Sequence, residues 1–293
     1  PEEIFYEREA KIYRSPERFR STEDLTHIIT GFFSKYNEPL SNSVPMNSLR
    51  LPDGSRANAV LPPISQGSPI LTIRKFTGIR PSLPNLISQG FITEEMASYL
   101  IQAVQDKKAI IIGGGTGSGK TTLLNILSAY IPERERIITI EDSPELQLQN
   151  RANWVKLCTR EEGPDGTMAI DSGSLIKNAL RMLPARIIVG EVRGPEAYDM
   201  LQAAMSGHPG TLCTVHGNDC KSMFLRTADL ILSYSKLDYD MILRQLTDAF
   251  DLLIHIHRTE EGDRYIDEIC QILPDDAKHF SLKTIYERRG DCA

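Results

Sequence analysis

The sequence predicts an α/β protein, in which a domain built on a largely parallel sheet follows a small α+β N-terminal domain. Three observations predict it. The β-branched run Ile110 to Ile112 leads into a glycine-rich turn and then an apolar helix start. Beyond it, short apolar strands alternate with amphipathic helical stretches as far as residue 250, the pattern of a sheet covered on both faces. Ahead of it, residues 1–92 read as one helix among short strands, and prolines and glycines gather toward their end.

Taken in order, residues 3–14 alternate weakly and are expected as a short hairpin. Residues 22–36 are expected as a helix, with Thr22 as N-cap and Leu25, Ile28, Ile29, Phe32 and Phe33 on one face. Residues 49–61 read as strand, turn and strand around Asp53-Gly54, and residues 70–76 as a further strand. Residues 77–91 hold two prolines and two glycines. They read as a hinge linker at about 77–92, dividing the chain into domains 1–92 and 93–293. Thr93 is expected to cap a helix whose Met96, Tyr99, Leu100 and Val104 face a core. Further strands are expected at 136–140, 153–159, 186–189 and 211–215, and helices at 119–130, 173–183, 195–206, 220–233 and 238–250. Residues 251–257 and 264–272 read as an antiparallel hairpin around Glu261-Gly262-Asp263.

At 293 residues there is room for two domains. No apolar run approaches the roughly 18–20 residues that span a bilayer, and no signal-peptide pattern opens the chain. Any membrane role is therefore expected to run through a partner. The first residue is Pro1 rather than Met, so the natural N-terminus is expected upstream. The net charge of −6 argues against sequence-wide nucleic-acid binding. One stretch departs from it: between Pro39 and Ile92, Arg50, Arg56, Arg74, Lys75 and Arg80 face the single acid Asp53. On charge alone this is as well read as a solvated basic face. The cysteines, five in number and without a C-x-x-C pair, are read as free thiols of a reducing compartment, with no zinc site.

Gly114 to Thr121 fits G-x-x-x-x-G-K-[ST] without a mismatch. The spacing has a chemical reason. Gly114, Gly115, Thr116, Gly117, Ser118 and Gly119 let successive backbone N–H groups converge on phosphate oxygens, and the following helix adds its positive end. Lys120 is expected to reach the β- and γ-phosphates of ATP. The Thr121 hydroxyl is expected to ligate Mg²⁺, with Thr122 beside it.

Ligands of open parallel sheets bind outside the carboxyl ends of the strands. Glu141, Glu191 and His216 stand at such ends. Glu191 occupies the place of the acid that polarises the attacking water or grips a metal-bound one, while Gly190 stands where an aspartate often ligates the metal. A simply solvated glutamate is the alternative. Glu141 and Asp142 form a second acidic pair, either of which could act as base or hold a metal-bound water. Asp142 reads equally as an N-cap for the segment after Pro144. His208 and His216 flank Pro209-Gly210-Thr211 and are read either as phosphate-facing donors or as structural hydrogen bonders. Arg193 and Arg181 are candidates to carry positive charge across a subunit contact. Beside a phosphate site, Arg50, Arg56 and Arg74 become candidate phosphate contacts too.

Several stretches together carry a family resemblance. They are Leu51-Pro-Asp-Gly-Ser-Arg-Ala-Asn-Ala-Val-Leu-Pro-Pro, Leu71-Thr-Ile-Arg-Lys-Phe, the glycine loop, Ile140-Glu-Asp-Ser-Pro-Glu-Leu, the run from Leu180 to Ala197, and Ser206-Gly-His-Pro-Gly-Thr-Leu-Cys-Thr-Val-His. With them the chain resembles the secretion-superfamily traffic ATPases that drive type II secretion, type IV pili and type IV secretion. It looks most like the branch that assembles tight-adherence (Flp-type) pili and its type IV secretion relatives. The resemblance implies a homohexamer of RecA-like P-loop ATPase domains, each preceded by a small PAS-like domain, with ATP in the cleft between the two. It implies a motor at the cytoplasmic face of the membrane, docked on an inner-membrane platform protein. Residue by residue, it makes Lys120 and Thr121 the Walker A pair, Glu141 the Asp-box acid, Glu191 the Walker B glutamate and His216 the His-box histidine. Arg56 and Arg74 match phosphate-approaching arginines. The four-cysteine zinc insertion of the type II branch is missing, and Gly217 stands where relatives often carry alanine. A DNA motor on the same core is the disfavoured alternative, given the acidic balance.

Overall fold

The structure, a computed structural model, describes residues 3–8, 11–75, 81–148, 151–162, 166–275 and 279–288. The chain divides into two compact units, Pro1–Ile79 and Arg80–Ala293.

In the first unit β1 (Glu3–Arg8) and β2 (Lys11–Arg18) pair antiparallel, so the hairpin runs four residues beyond the expected 3–14. Tyr6 stacks on Tyr13 across it. Helix α1 (Thr22–Ser34) is capped by Ser21, not Thr22. Ser21 has the extended backbone of an N-cap, and its hydroxyl accepts the Asp24 N–H at 3.1 Å. Strands β3 (Met46–Arg50), β4 (Arg56–Val60) and β5 (Ile70–Arg74) form an antiparallel sheet in that order. Leu25, Ile29 and Phe33 of α1 bury against Leu49, Ala57 and Ala59. The registers place Arg50 opposite Arg56, and Arg56 opposite Arg74. Directly opposed residues share a face, so the three arginines form one row.

In the second unit the stretch read as a linker holds a short helix, α2 (Leu83–Ser88). Its capping box is made by Ser82 and Asn85, and Leu83 and Leu86 enter the core. Residues 77–80 lie outside the described residues. Next come α3 (Glu94–Gln105), capped by Thr93 as expected, β6 (Ile110–Gly114), α4 (Lys120–Ser128), β7 (Ile137–Glu141) and β8 (Trp154–Cys158). They are followed by α5 (Ser172–Ala179), β9 (Arg186–Val192), α6 (Glu196–Met205), β10 (Leu212–Val215), α7 (Cys220–Tyr234) and α8 (Tyr239–Ala249). Strands β11 (Leu252–Arg258), β12 (Arg264–Leu273) and β13 (Ser281–Glu287) complete it.

One eight-stranded sheet runs β13-β12-β11-β6-β10-β9-β7-β8. From β11 to β8 every pairing is parallel, and β12 and β13 add an antiparallel edge. Alternate residues of one strand serve opposite cores. Ile110 and Ile112 pack with α2, α3 and α4, whereas Ile111 packs with α5 to α8. That is why these strands are apolar without alternation.

A buried ion pair lies at the amino-terminal ends of the neighbouring strands β7 and β9. Arg186, fully buried at the start of β9, donates to Glu135 at 2.5 Å and to the Val104 carbonyl at 2.7 Å. Gly210, at φ +80°, lets its backbone pass so close to the guanidinium that a Cβ there would collide with it.

Candidate functional site

The loop between β6 and α4 has the backbone that only glycine adopts freely. Gly114, Gly117 and Gly119 have φ of 147°, 71° and 103°. A Cβ on Gly114 would stand 2.5 Å from the Ile256 carbonyl oxygen and 2.6 Å from Ser118 Oγ. Gly115, Thr116 and Gly117 are exposed, and Thr121 and Thr122 are half-buried in the first turn of α4. Lys120 is buried, and its ammonium donates to the carbonyls of Gly114 and Gly115 at 2.9 and 2.8 Å. Burial pulls its pKa below the usual lysine range, opposed by the Glu191 carboxylate. The Ser118 hydroxyl is buried without a hydrogen-bond partner. An orphaned donor inside a left-handed glycine turn at a helix N-terminus fits a phosphate group.

The sheet order decides what stands near this loop. β10 lies directly beside β6, and β9 lies beyond it. The register between β9 and β10 slips: Cys213 faces Val189, but Val215 faces Val192. The extra residue falls around Gly190 and Glu191, and such a bulge re-aims a side chain. The Thr214 hydroxyl accommodates it, donating to the Gly190 carbonyl at 2.6 Å. Glu191 thereby meets His216, the residue after β10, with Oε1 2.8 Å from Nε2. Arg193 closes the group. Its Nε is 3.5 Å from Glu191 Oε2, and its guanidinium also pairs with Asp142.

Glu141 ends β7, one strand further out, and is buried. Its Oε1 accepts the N–H groups of Glu145 and Leu146, both at 2.9 Å. Its side chain crosses over Gly190, where a Cβ would stand 2.9 Å from Glu141 Cγ. The glycine in the usual aspartate position therefore leaves room for this glutamate. The turn after Pro144 is held by Glu141, whereas Asp142 serves Arg193 and Thr159 rather than acting as an N-cap.

Four expectations meet the geometry differently. His208 precedes β10 and His216 follows it, so the strand separates them, and the described structure does not bring His208 to this site. Its Nδ1 is buried without a partner. Arg193 engages acids of its own chain, and Arg181 is exposed just beyond α5. Arg56 and Arg74 lie in the first unit, in the arginine row. The sequence reading missed Arg258, the last residue of β11. β11 flanks β6 on the side away from β10, and the guanidinium lies 2.8 Å from where a Gly117 Cβ would be. Its signal was a cation at the carboxyl end of a strand, which becomes legible only once β11 is known to neighbour β6.

A strand, a left-handed glycine turn and a helix, with a glutamate and a histidine on the next strand ends, define a P-loop nucleotide hydrolase. Comparison with known proteins narrows the class. The profile of the family described as Type II/IV secretion system protein matches residues 1–262. The type IV secretion system protein VirB11 of Brucella suis biovar 1 is 34% identical over 300 residues, covering 92% of this chain and 82% of that protein. A crystal structure of the VirB11 ATPase from the Brucella suis type IV secretion system, in complex with sulphate, aligns with a TM-score of 0.54 and 33% identity over 92% of this chain and 86% of that one. The uncharacterized protein MJ0781 of Methanocaldococcus jannaschii is 45% identical over 195 residues, 64% of this chain but only 27% of that protein. The chain belongs to the type II/IV secretion system ATPase family.

Proposed function

We propose that this chain is the ATP-hydrolysing motor of a secretion or pilus machine, acting as a homohexamer at the cytoplasmic face of a membrane and docked on a platform protein in that membrane. Relatives named for type IV secretion, matched along most of their length, favour a type IV secretion machine over the tight-adherence pilus suggested by the motifs. Among the described residues no helix is long and apolar enough to cross a membrane.

The Glu191–His216 pair carries the reading. Glu191 positions and polarises the attacking water, and His216 holds the carboxylate in place and donates toward the last phosphate. Lys120 exchanges its two loop carbonyls for phosphate oxygens. Thr121 is the protein's ligand to Mg²⁺, which when bound neutralises charge on the phosphates. Glu141 orders a water of the metal shell, and Arg193 and Arg258 balance developing charge. Arg56 and Arg74 are further phosphate contacts, offered by this subunit or a neighbour. The hinge through which nucleotide turnover drives motion falls at the boundary between the two units, ahead of α2.

Phosphate release tests the assignment. Lys120→Ala is expected to abolish hydrolysis. Glu191→Gln is expected to bind ATP normally and turn over at least ~100-fold more slowly, the scale of lost acid–base help. Hydrolysis at the wild-type rate in Lys120→Ala, or loss of ATP binding in Glu191→Gln, would remove these residues from their roles.

A further inference from the structure

Away from the nucleotide loop, three soft or anionic ligating groups converge. Cys220 is the first residue of α7, and Glu268 and Cys270 stand two apart on β12, so the latter two share one face of that strand. The two Sγ atoms and a Glu268 carboxylate oxygen all lie within 4.8 Å of one another. Both thiols are buried and Glu268 is half-buried. The carboxylate binds both partners already: Oε2 accepts the Cys220 N–H at 3.1 Å, and Oε1 accepts the Cys270 S–H at 3.0 Å. Thr284 Oγ1, on β13, stands 3.8 Å from Cys270 Sγ.

We propose that Cys220, Glu268 and Cys270 form a Zn²⁺ site that ties the start of α7 to β12. Two thiolates and a carboxylate are a donor set suited to zinc, and an ordered water or the Thr284 hydroxyl completes four-coordination. Donors at zinc distances of ~2.0–2.3 Å stand roughly 3.5–3.8 Å apart at tetrahedral angles, so no separation within the 4.8 Å cluster needs to close by more than about 1.3 Å, while Glu268 Oε1 and Cys270 Sγ, now 3.0 Å apart, open by about 0.5 Å. Glu268 is held between them, accepting the backbone N–H of Cys220 and the thiol of Cys270. The sequence reading excluded zinc because no short cysteine spacing is present. Here one ligand lies 48 residues from the next, and only the pairing of β12 with its neighbours brings them together. The site has a consequence for the nucleotide centre. Cys220 follows His216 by four residues, so a bound ion would anchor the segment that leaves the catalytic histidine. The plain alternative is a pair of small buried thiols with one hydrogen-bonded acid.

Zinc titration decides between them. The reduced, chelator-stripped full chain is titrated with ZnCl₂ against a chromogenic chelator, and separately with Co²⁺. One tightly held equivalent of Zn²⁺ is expected, and the Co²⁺ form should show sulfur-to-cobalt charge-transfer absorption. Cys270→Ser and Glu268→Gln should each weaken zinc binding at least ~100-fold, the upper end of what losing even an outer partner costs. Cys158→Ser should leave it unchanged. Circular dichroism confirms the fold of each variant, and the near-isosteric Glu268→Gln keeps the test decisive if the serine variant misfolds. A reduced wild-type chain that holds no stoichiometric zinc overturns the proposal. So does a Co²⁺ form without the sulfur band, or undiminished zinc binding in Glu268→Gln.

Discussion

Gly190→Ala tests how the acidic side of the site is assembled. A methyl at position 190 would stand 2.9 Å from Glu141 Cγ and 3.5 Å from its Cβ. The Cβ contact is ordinary, but the Cγ contact requires movement. Glu141 cannot swing aside freely, because its carboxylate is held by the N–H groups of Glu145 and Leu146 at 2.9 Å each. Hydrogen bonds to a charged group contribute about 1.5–3 kcal/mol each, so losing one or both gives an expected cost of about 3 kcal/mol. That is a large part of a typical domain stability of about 5–15 kcal/mol. Urea denaturation of the wild type, Gly190→Ala, Glu141→Ala and the double variant forms the assay. In the Glu141→Ala background the obstructing Cγ is gone, so Gly190→Ala should cost less than ~0.5 kcal/mol, leaving a coupling energy of ~2 kcal/mol or more. Equal destabilisation by Gly190→Ala in both backgrounds, or none in either, refutes the packing of Glu141 across Gly190.

Two further stability predictions join those on Lys120 and Glu191. Among the described residues, Arg186→Ala leaves Lys107, 3.7 Å away, as the cation paired with buried Glu135, and it should destabilise the chain by about 3–5 kcal/mol in thermal or urea unfolding. Asp171 caps α5 by accepting the Ser174 N–H at 2.6 Å. That backbone bond, then the Ser174 side chain, hold its pKa below the ordinary aspartate value. Asp171→Asn keeps an oxygen acceptor but loses the charge, so wild type and variant should differ above about pH 4 and converge as pH falls through the depressed pKa. A stability difference that grows on acidification would contradict this.

The nucleotide loop and the fold class were legible because each rests on local pattern. The glycine spacing fixes a turn, and Ile110 to Ile112 announce a strand buried on both faces. What was misread depends on contacts made at a distance. The stretch around α2 looks like a linker because Pro81 and Pro84 dominate it, yet Pro84 sits in the first turn of the helix, where proline is tolerated, and Leu83 and Leu86 find a core. The cap of α1 moved to Ser21 because either neighbouring hydroxyl could serve and only backbone conformation chooses between them. β13 was missed altogether. Its Ser281–Glu287 run alternates weakly and gains meaning as an edge strand on β12. Glu191 and His216 were identified as strand-end residues, but their direct pairing depends on the bulge in β9, and nothing in the local sequence announces a bulge. The role of Gly190 is likewise set by a side chain 49 positions away.

β10 lies between β6 and β9, so His216 follows the strand that separates the glycine loop's strand from that of Glu191. Through the sheet, β10 is the one strand between that loop's strand and Glu191, while the Glu191 carboxylate also acts directly on Lys120. A substitution that displaces β10 therefore disturbs the Glu191–His216 pair without touching either residue.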